Sequence, residues 1–271
     1  MIEKARVVEP TLLDYFCFHY QPQYCLDSGE LRGYESLIRL MHPTLGVLTP
    51  ASFLDKIDNV GSWLRLWPVM LDCIESDSLM LNSAHKLAIN VSPIQLEHDF
   101  FINYLEEVID KNKLSPENIE IEITENVVIS DYKRVSSAIS RLNELDISVV
   151  IDDFGSGYSN LKHLEKLAVQ GIKLDREFVT GIESSPVKQI IVESVVNIAS
   201  VKGCFVLAEG IEKPIEKEVV QRLGCKYGQG YLFGRPDRKF INKGLNRLRA
   251  ESCSLYEHPL PGRQLSMVQP G

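Results

Sequence analysis

"VVIDDFGSGYSNL", residues 149–161, is the stretch from which the fold of this chain is read. A β-branched run, Val149-Val150-Ile151, ends in two adjacent carboxylates and then in a loop with glycines at 155 and 157. Neighbouring aspartates repel each other and fit a β-strand poorly. Asp152 and Asp153 at a strand tip therefore require something to compensate them. The same layout recurs along the chain. Apolar runs stand at 87–92 (LAINVS), 119–125 (IEIEITE), 148–153 (SVVIDD), 171–175 (GIKLD), 205–210 (FVLAEG) and 228–234 (GQGYLFG). Between them lie stretches of helical period. Phe101, Tyr104, Leu105, Val108 and Ile109 share one stripe, and Val135, Ala138, Ile139 and Leu142 share another. Pro186 opens and Gly203 closes a further helix. Strands recur roughly every 25–35 residues, the length of a βαβ unit. No Gly/Ser/Pro-rich linker interrupts the series. The expectation is one α/β domain with a mostly parallel sheet, a (β/α)8 barrel or else a doubly wound open sheet. Upstream, "FCFHYQPQYC" and "LRGYESLIRL", joined through Asp27-Ser28-Gly29, predict a hairpin.

Composition narrows the function. The 271 residues carry a net charge of −8 and no Lys/Arg-rich run, which argues against a duplex nucleic-acid binder. The N-terminus has no long apolar region and no stretch approaches the ~20 apolar residues of a membrane span. The six cysteines (17, 25, 73, 204, 225, 253) contain no C-x-x-C pair. They read as reduced thiols of a cytoplasmic protein without a zinc site.

The chemistry gathers at the strand exits, where barrels and open parallel sheets place their active sites. Asn90, Glu122, Glu125, Asp152, Asp153, Lys173, Asp175, Glu209, Glu212 and Gln229 all stand at or beside such ends. Converging carboxylates raise one another's pKa and destabilise a fold unless cations compensate them. Carboxylates with an amide oxygen suit hard divalent ions such as Mg2+ or Mn2+. Adjacent aspartates can serve two metals a few ångströms apart, an arrangement that phosphodiester hydrolysis uses, with Asp152 expected to bridge them and Asp153 to hold the second. Ca2+, larger and looser in geometry, is expected to inhibit.

These residues carry a resemblance to the EAL-domain family of cyclic di-GMP phosphodiesterases over about residues 16–240. The name motif stands as Glu35-Ser36-Leu37-Ile38-Arg39. The other family segments are Asn90-Val91-Ser92, Glu122-Ile123-Thr124-Glu125, Asp152 to Tyr158, Lys173-Leu174-Asp175, Glu209-Gly210-Ile211-Glu212, and Gln229-Gly230-Tyr231 with Pro236. Each tripeptide alone is weak; the ordered set is specific. The resemblance implies a TIM-like barrel whose first strand is antiparallel to the rest, spanning residues 16–242. A lead-in (1–15) precedes it, and a short helix with a loose tail (243–271) follows. It implies hydrolysis of cyclic di-GMP to linear pGpG by a cytoplasmic, stand-alone homodimer with two Mg2+ or Mn2+ ions per site. Glu35, Asn90, Glu122 and Asp152 are implied as ligands of the first metal, and Asp152, Asp153 and Glu209 of the second. Lys173 is implied to orient the attacking water, Gln229 to help place it, and Glu125 to anchor the loop after Asp153. Gln21, Arg39, Leu37, Asp175 and Pro236 are implied on the substrate side, with Arg39 suited to a phosphate.

Departures are mild. Ser36 replaces the Ala of the name motif, Ser156 and Asn160 differ in the loop, and Asp58 stands where Glu is usual. The six histidines show no metal spacing, Trp63 and Trp67 read as one apolar helix face, and Cys204 reads as core. Glu120 sits one pleat deeper than Glu122 and reads as a barrel-interior group. Two rivals differ in class. One is a degenerate relative that binds cyclic di-GMP or a protein without cleaving it, but no ligand of the set is missing. The other is a glycoside hydrolase, for which Lys173, the Asn90 amide and the Asp pair are superfluous.

Overall fold

The computed structural model describes residues 15–53, 60–78, 85–110, 115–124, 129, 131–155 and 160–238. The chain opens with the expected hairpin, β1 (Phe16–Cys25) and β2 (Leu31–His42), paired antiparallel from Phe16↔Leu40 to Tyr24↔Leu31. A short β3 (Gly46–Leu48) folds back on the outer end of β2. From there strands and helices alternate: α1 (Val60–Ser78), β4 (Lys86–Val91), α2 (Pro93–Leu96), α3 (Asp99–Asp110), β5 (Ile119–Thr124) and α4 (Tyr132–Glu144). They continue through β6 (Ser148–Phe154), α5 (Asn160–Lys166), β7 (Gly171–Leu174), α6 (Arg176–Val179), α7 (Pro186–Lys202), β8 (Phe205–Ala208), α8 (Pro214–Arg222) and β9 (Tyr227–Gln229).

The sheet runs β1-β9-β8-β7-β6-β5-β4-β2-β3, and an additional β1–β2 pairing closes it. With β3 set aside as an outside arm, eight strands make a barrel, and the open-sheet alternative is ruled out. β2 and β4 to β9 are parallel, whereas β1 is antiparallel to both its neighbours. A hairpin forces that reversal: β2 follows β1 through a tight turn, so the two must run in opposite directions.

The helices form where the apolar period predicts. In α4, Val135, Ala138, Ile139 and Leu142 are buried, and Asp131 caps the first turn by accepting from Lys133 N and Arg134 N. In α3 the buried face is Phe101, Ile102, Leu105 and Val108, with Tyr104 and Ile109 packed at its margin. α7 starts at Pro186 behind a Ser185 cap and ends at Gly203, whose φ of 76° is the left-handed stop. Trp67 is fully buried and packs on Phe101, as a core helix face requires. The last expected strand is shorter than its apolar run. It ends at Gln229, because Phe233 N and Gly234 N both turn back to the Gly230 carbonyl. The expected C-terminal helix and tail, and most of the N-terminal lead-in, lie outside the described residues.

The barrel floor is polar at its centre. Across the β1–β2 ladder Gln23 opposes Gly33 while Tyr24 opposes Leu31, so Arg32 is an extra residue in a β-bulge. Alternation alone would point Arg32 outward; instead its guanidinium lies between the rings of Phe205 and Tyr227, 4.8 and 4.5 Å from their centroids. There it makes a two-pronged bond to the buried Glu120 carboxylate. A buried pair of this kind stabilises little in total, but stripping one partner leaves an uncompensated charge. Glu120→Leu is therefore expected to cost about 3–5 kcal/mol in urea unfolding, and adding Arg32→Met to recover much of it. A single variant as stable as the parent would show that Arg32 finds another partner.

Candidate active site

Register places the carboxylates. Glu35 lies on β2 opposite Gln21 of β1, Glu122 on β5 beside Asn90 of β4, and Asp152 on β6 beside Thr124. Lys173 lies on β7 beside Leu207, and Glu209 directly follows β8. Because successive side chains alternate between faces, these positions all project into the upper barrel interior.

They converge on one ammonium. Lys173 Nζ lies 2.9 Å from Glu122 Oε2, 2.9 Å from Asp152 Oδ1, 2.8 Å from Glu209 Oε1 and 3.5 Å from Glu35 Oε2. Its side chain is 1% exposed. Two amides complete the set: Asn90 Nδ2 donates to Glu35 Oε1 at 2.7 Å, and Gln229 Nε2 donates to Glu35 Oε2. Glu122 Oε1 is buried with no hydrogen-bond partner among the described residues. Asp152 Oδ1 touches the ammonium as an ion pair but outside hydrogen-bond geometry.

The two adjacent aspartates reach the same site through a second irregularity. Between β6 and β7, Ile151 faces Ile172 and Phe154 faces Leu174, so β6 carries one residue more. Asp153 takes up the excess in a left-handed conformation, φ 54°. A regular strand would send Asp152 and Asp153 to opposite faces; the bulge turns both carboxylates to one side. Gly155 follows at φ 110°, and any Cβ there would strike the Phe178 ring. The tight turn thus sits at Asp153 and Gly155, while Gly157 lies outside the described residues.

The result is two overlapping carboxylate triads. Glu35, Glu122 and Asp152 bring their oxygens within 4.8 Å of one another, and so do Asp152, Asp153 and Glu209. Electrostatics mark the cluster as short of positive charge. Burial raises Glu122 well above the ordinary carboxylate range, and Glu35 and Asp152 add to the shift despite Lys173. Burial likewise raises Asp152, pushes Asp153 up to about 6 and pushes Glu209 up to about 8. Glu35 is the exception. Burial opposes its charge too, but Lys173 and the donors from Gln229 and Asn90 outweigh it and hold the carboxyl low. Lys173 shows the converse, its desolvation outweighed by the surrounding carboxylates so that its pKa is raised.

Two clefts of about 270 Å³ each meet at Glu35, Leu37, Asp152 and Asp153. One is polar and is lined also by Gln21, Arg176, Glu209, Glu212, Gln229 and Tyr231. The other is walled by Phe18, Ile38, Pro50 and Met70, with Asn90 and Thr124. Gln21 and Leu37 therefore stand where substrate contacts would be. Arg39, Asp175 and Pro236 are not among the lining residues: Arg39 donates to the Ile38 carbonyl, and Asp175 caps α6 by accepting from Glu177 N. Arg176 was not singled out from the sequence; its one hint is that it directly follows the Lys173-Leu174-Asp175 strand exit. Tyr231 stood in the Gln229-Gly230-Tyr231 segment with no role assigned to it. Glu125 and the loop residues Ser156 to Ser159 lie outside the described residues.

Comparison with known proteins agrees with this arrangement. The EAL domain family matches residues 9–236. A cyclic di-GMP phosphodiesterase of Pseudomonas aeruginosa is 35% identical over 224 residues, covering 81% of this chain and 38% of the relative. Across the first curated relatives the chain spans only 27% to 38% of their length. Among solved structures, the PaMucR phosphodiesterase in complex with c-di-GMP superposes with a TM-score of 0.75 at 28% identity, covering 84% of this chain and 95% of that one. The manganese/cyclic-di-GMP complex of Klebsiella pneumoniae BlrP1 superposes with a TM-score of 0.72 at 31% identity, covering 82% and 56%. The matched residues include every strand of the barrel and every carboxylate of the two triads, and the chain belongs to the EAL domain family.

Proposed function

We propose that this chain is a metal-dependent phosphodiesterase that hydrolyses cyclic di-GMP to linear pGpG. The observation that carries the reading is the pair of carboxylate triads sharing Asp152 around one buried ammonium. Membership of the family and relatives named for this activity supply the substrate. The donor set fits divalent cations: it is all oxygen, anionic in excess of its one lysine, and it leaves a buried Glu122 oxygen without a hydrogen bond. Glu35, Asn90, Glu122 and Asp152 would hold one ion, and Asp152, Asp153 and Glu209 the other. Asn90 would have to turn its amide so that the oxygen, not the nitrogen that now donates to Glu35, faces the metal. Bound cations would neutralise the phosphodiester and acidify the attacking water.

The chain's own groups do the rest. Lys173 donates to the oxygen of the incoming water and holds it in line with phosphorus. Gln229 keeps Glu35 oriented and helps place that water. As the water oxygen bonds to phosphorus and gives up a proton, the P–O bond to the ribose 3′ oxygen breaks and that oxygen takes a proton up from solvent, which opens the ring to a linear dinucleotide with a 5′ phosphate. The clefts on either side of the cluster would give the two guanosine halves separate places, with Leu37 at their junction and Gln21 and Arg176 along the polar one.

Incubation of the purified chain with cyclic di-GMP should yield pGpG with Mg2+ or Mn2+, and none with chelator or with Ca2+ alone. Intact substrate retained under Mn2+ would instead mark a binding module. Glu122→Gln and Asp152→Asn should each reduce turnover by more than the ~10–100-fold typical of outer-sphere losses. Lys173→Ala should lower kcat far more than it raises KM, as a group acting on water requires. Equal losses in both would make Lys173 a phosphate clamp.

Acidity offers a separate check. The folded pKa values of Asp153 (about 6) and Glu209 (about 8) lie above their ordinary values of 3.8 and 4.5. The metal-free fold therefore holds protons that the unfolded chain has released, and its stability falls as pH rises between those limits. Metals replace the protons. The melting temperature of chelated protein should drop between pH 5.5 and 8.5, and Mn2+ should raise it more at pH 8.5. A flat profile would mean that the cluster is already compensated without metal.

A further inference from the structure

Beneath the carboxylates a file of amides runs down the barrel, and the groups at its ends fix the direction of each hydrogen bond. Arg32 Nη1 donates to Gln23 Oε1 at 2.8 Å, and Gln23 Nε2 donates to Gln229 Oε1 at 3.0 Å. Gln229 Nε2 donates to Glu35 Oε2 and, at 3.0 Å, to Gln21 Oε1. Gln21 Nε2 ends the file on the Gly234 carbonyl at 3.1 Å. The oxygen and nitrogen ends of an amide have nearly the same shape, so only the partners decide which way it points. A guanidinium has no acceptor, so Gln23 must turn its oxygen to Arg32 and its NH2 to Gln229. A carboxylate has no donor, so Gln229 must turn its NH2 to Glu35. The two requirements agree, and they meet where Gln23 and Gln229 are cross-strand partners of β1 and β9. Gln23 is 0% exposed, so water cannot stand in for it.

We propose that Gln23 is a positioning residue for the reaction. Backed by Arg32, it locks the Gln229 amide with its N–H toward Glu35 and so holds that carboxylate in place for its metal. The proposal rests on the hydrolase reading above, in which Glu35 is a ligand. Arg32 enters the file only because the β2 bulge turns it inward. Without the Gln23 donor, the Gln229 oxygen loses its fixed partner, and the amide, held only from its NH2 side by Glu35 and Gln21, can tilt and loosen its hold on Glu35.

The test compares Gln23→Met, Gln229→Met, the double variant and Gln23→Glu in the full chain. Mn2+ binding to chelator-stripped protein is measured by calorimetry without substrate, alongside kcat and KM for cyclic di-GMP. Gln23→Met should weaken Mn2+ binding about 10-fold, the low end of the range for groups that act behind a ligand, and leave KM within about twofold. The double variant should bind no more weakly than Gln229→Met alone, since Gln23 acts through Gln229. Gln23→Glu keeps a partner for Arg32 but offers Gln229 only an acceptor, so it competes with Glu35 for the one NH2 of that amide. It should therefore lose more Mn2+ affinity than Gln23→Met, although its added negative charge favours a cation and a purely structural role would rank the two in reverse. Additive losses in the double variant, or Gln23→Glu binding as well as Gln23→Met, would overturn the proposal. Should Gln23→Met not fold, Gln23→Glu carries the test alone, and an affinity equal to the parent's overturns it. A parent that neither binds Mn2+ nor cleaves defeats the hydrolase reading and this inference with it; a parent that does both, beside unaltered Gln23 variants, defeats the role of Gln23 only.

Discussion

The ammonium of Lys173 stands among the carboxylates of Glu35, Glu122, Asp152 and Glu209 inside the barrel, and the compensation of that charge governs the rest of the structure. Each buried ion carries a desolvation penalty of several kcal/mol, repaid only where geometry and hydrogen bonds are good. Glu35 meets that condition through Lys173 and two amide donors and stays ionised. Glu122, Asp152 and Glu209 do not, and their carboxyls are raised. A barrel wall with an excess of carboxylate oxygen is poorly stabilised by itself and well suited to divalent cations. Binding capacity and instability are two aspects of one charge imbalance.

The imbalance is held in place by apolar packing and by two departures from regular strand geometry. Ile89, Ile121, Ile123, Val149 and Ile151 face outward from the strands into the buried layer beneath the helices, while the inward positions carry the polar groups together with Ala88, Val150 and Leu207. One bulge, at Arg32, supplies a cation to the floor, where Glu120, Phe205 and Tyr227 enclose it. The other, at Asp152-Asp153, brings two neighbouring carboxylates to one side. Each adds one residue to a strand and reverses the face that alternation would assign. Polar groups therefore stand at both the floor and the rim of the interior, and the Gln23–Gln229–Glu35 file joins the two ends.

Much of this was legible in the chain itself. The apolar periods placed the helices, the hairpin around Asp27-Ser28-Gly29 foretold the antiparallel first strand, and the strand exits collected Glu122, Asp152, Lys173 and Glu209. These are local signals: a strand of period two facing a core declares its parity, and a polar residue at its exit declares its end. Barrel closure was not local. A series of βαβ units fits an open sheet equally well, and only the β1–β2 and β1–β9 pairings, between residues some two hundred positions apart in the second case, decide the matter.

The residue types, their order and their strand positions were determined by sequence alone, and with them the class of chemistry. Tertiary structure decided which of those residues share a volume. Arg39 and Asp175 stand in motifs yet line neither cleft, while Arg176, unmarked by any pattern, lines one, as does Tyr231, to which its motif assigned no role. Arg32 and Gln23 came into the site's support by the same route. Their roles depend on a register shift and on which end of an amide faces a guanidinium, and a one-residue shift across a closed barrel leaves no trace in the periodicity of either strand.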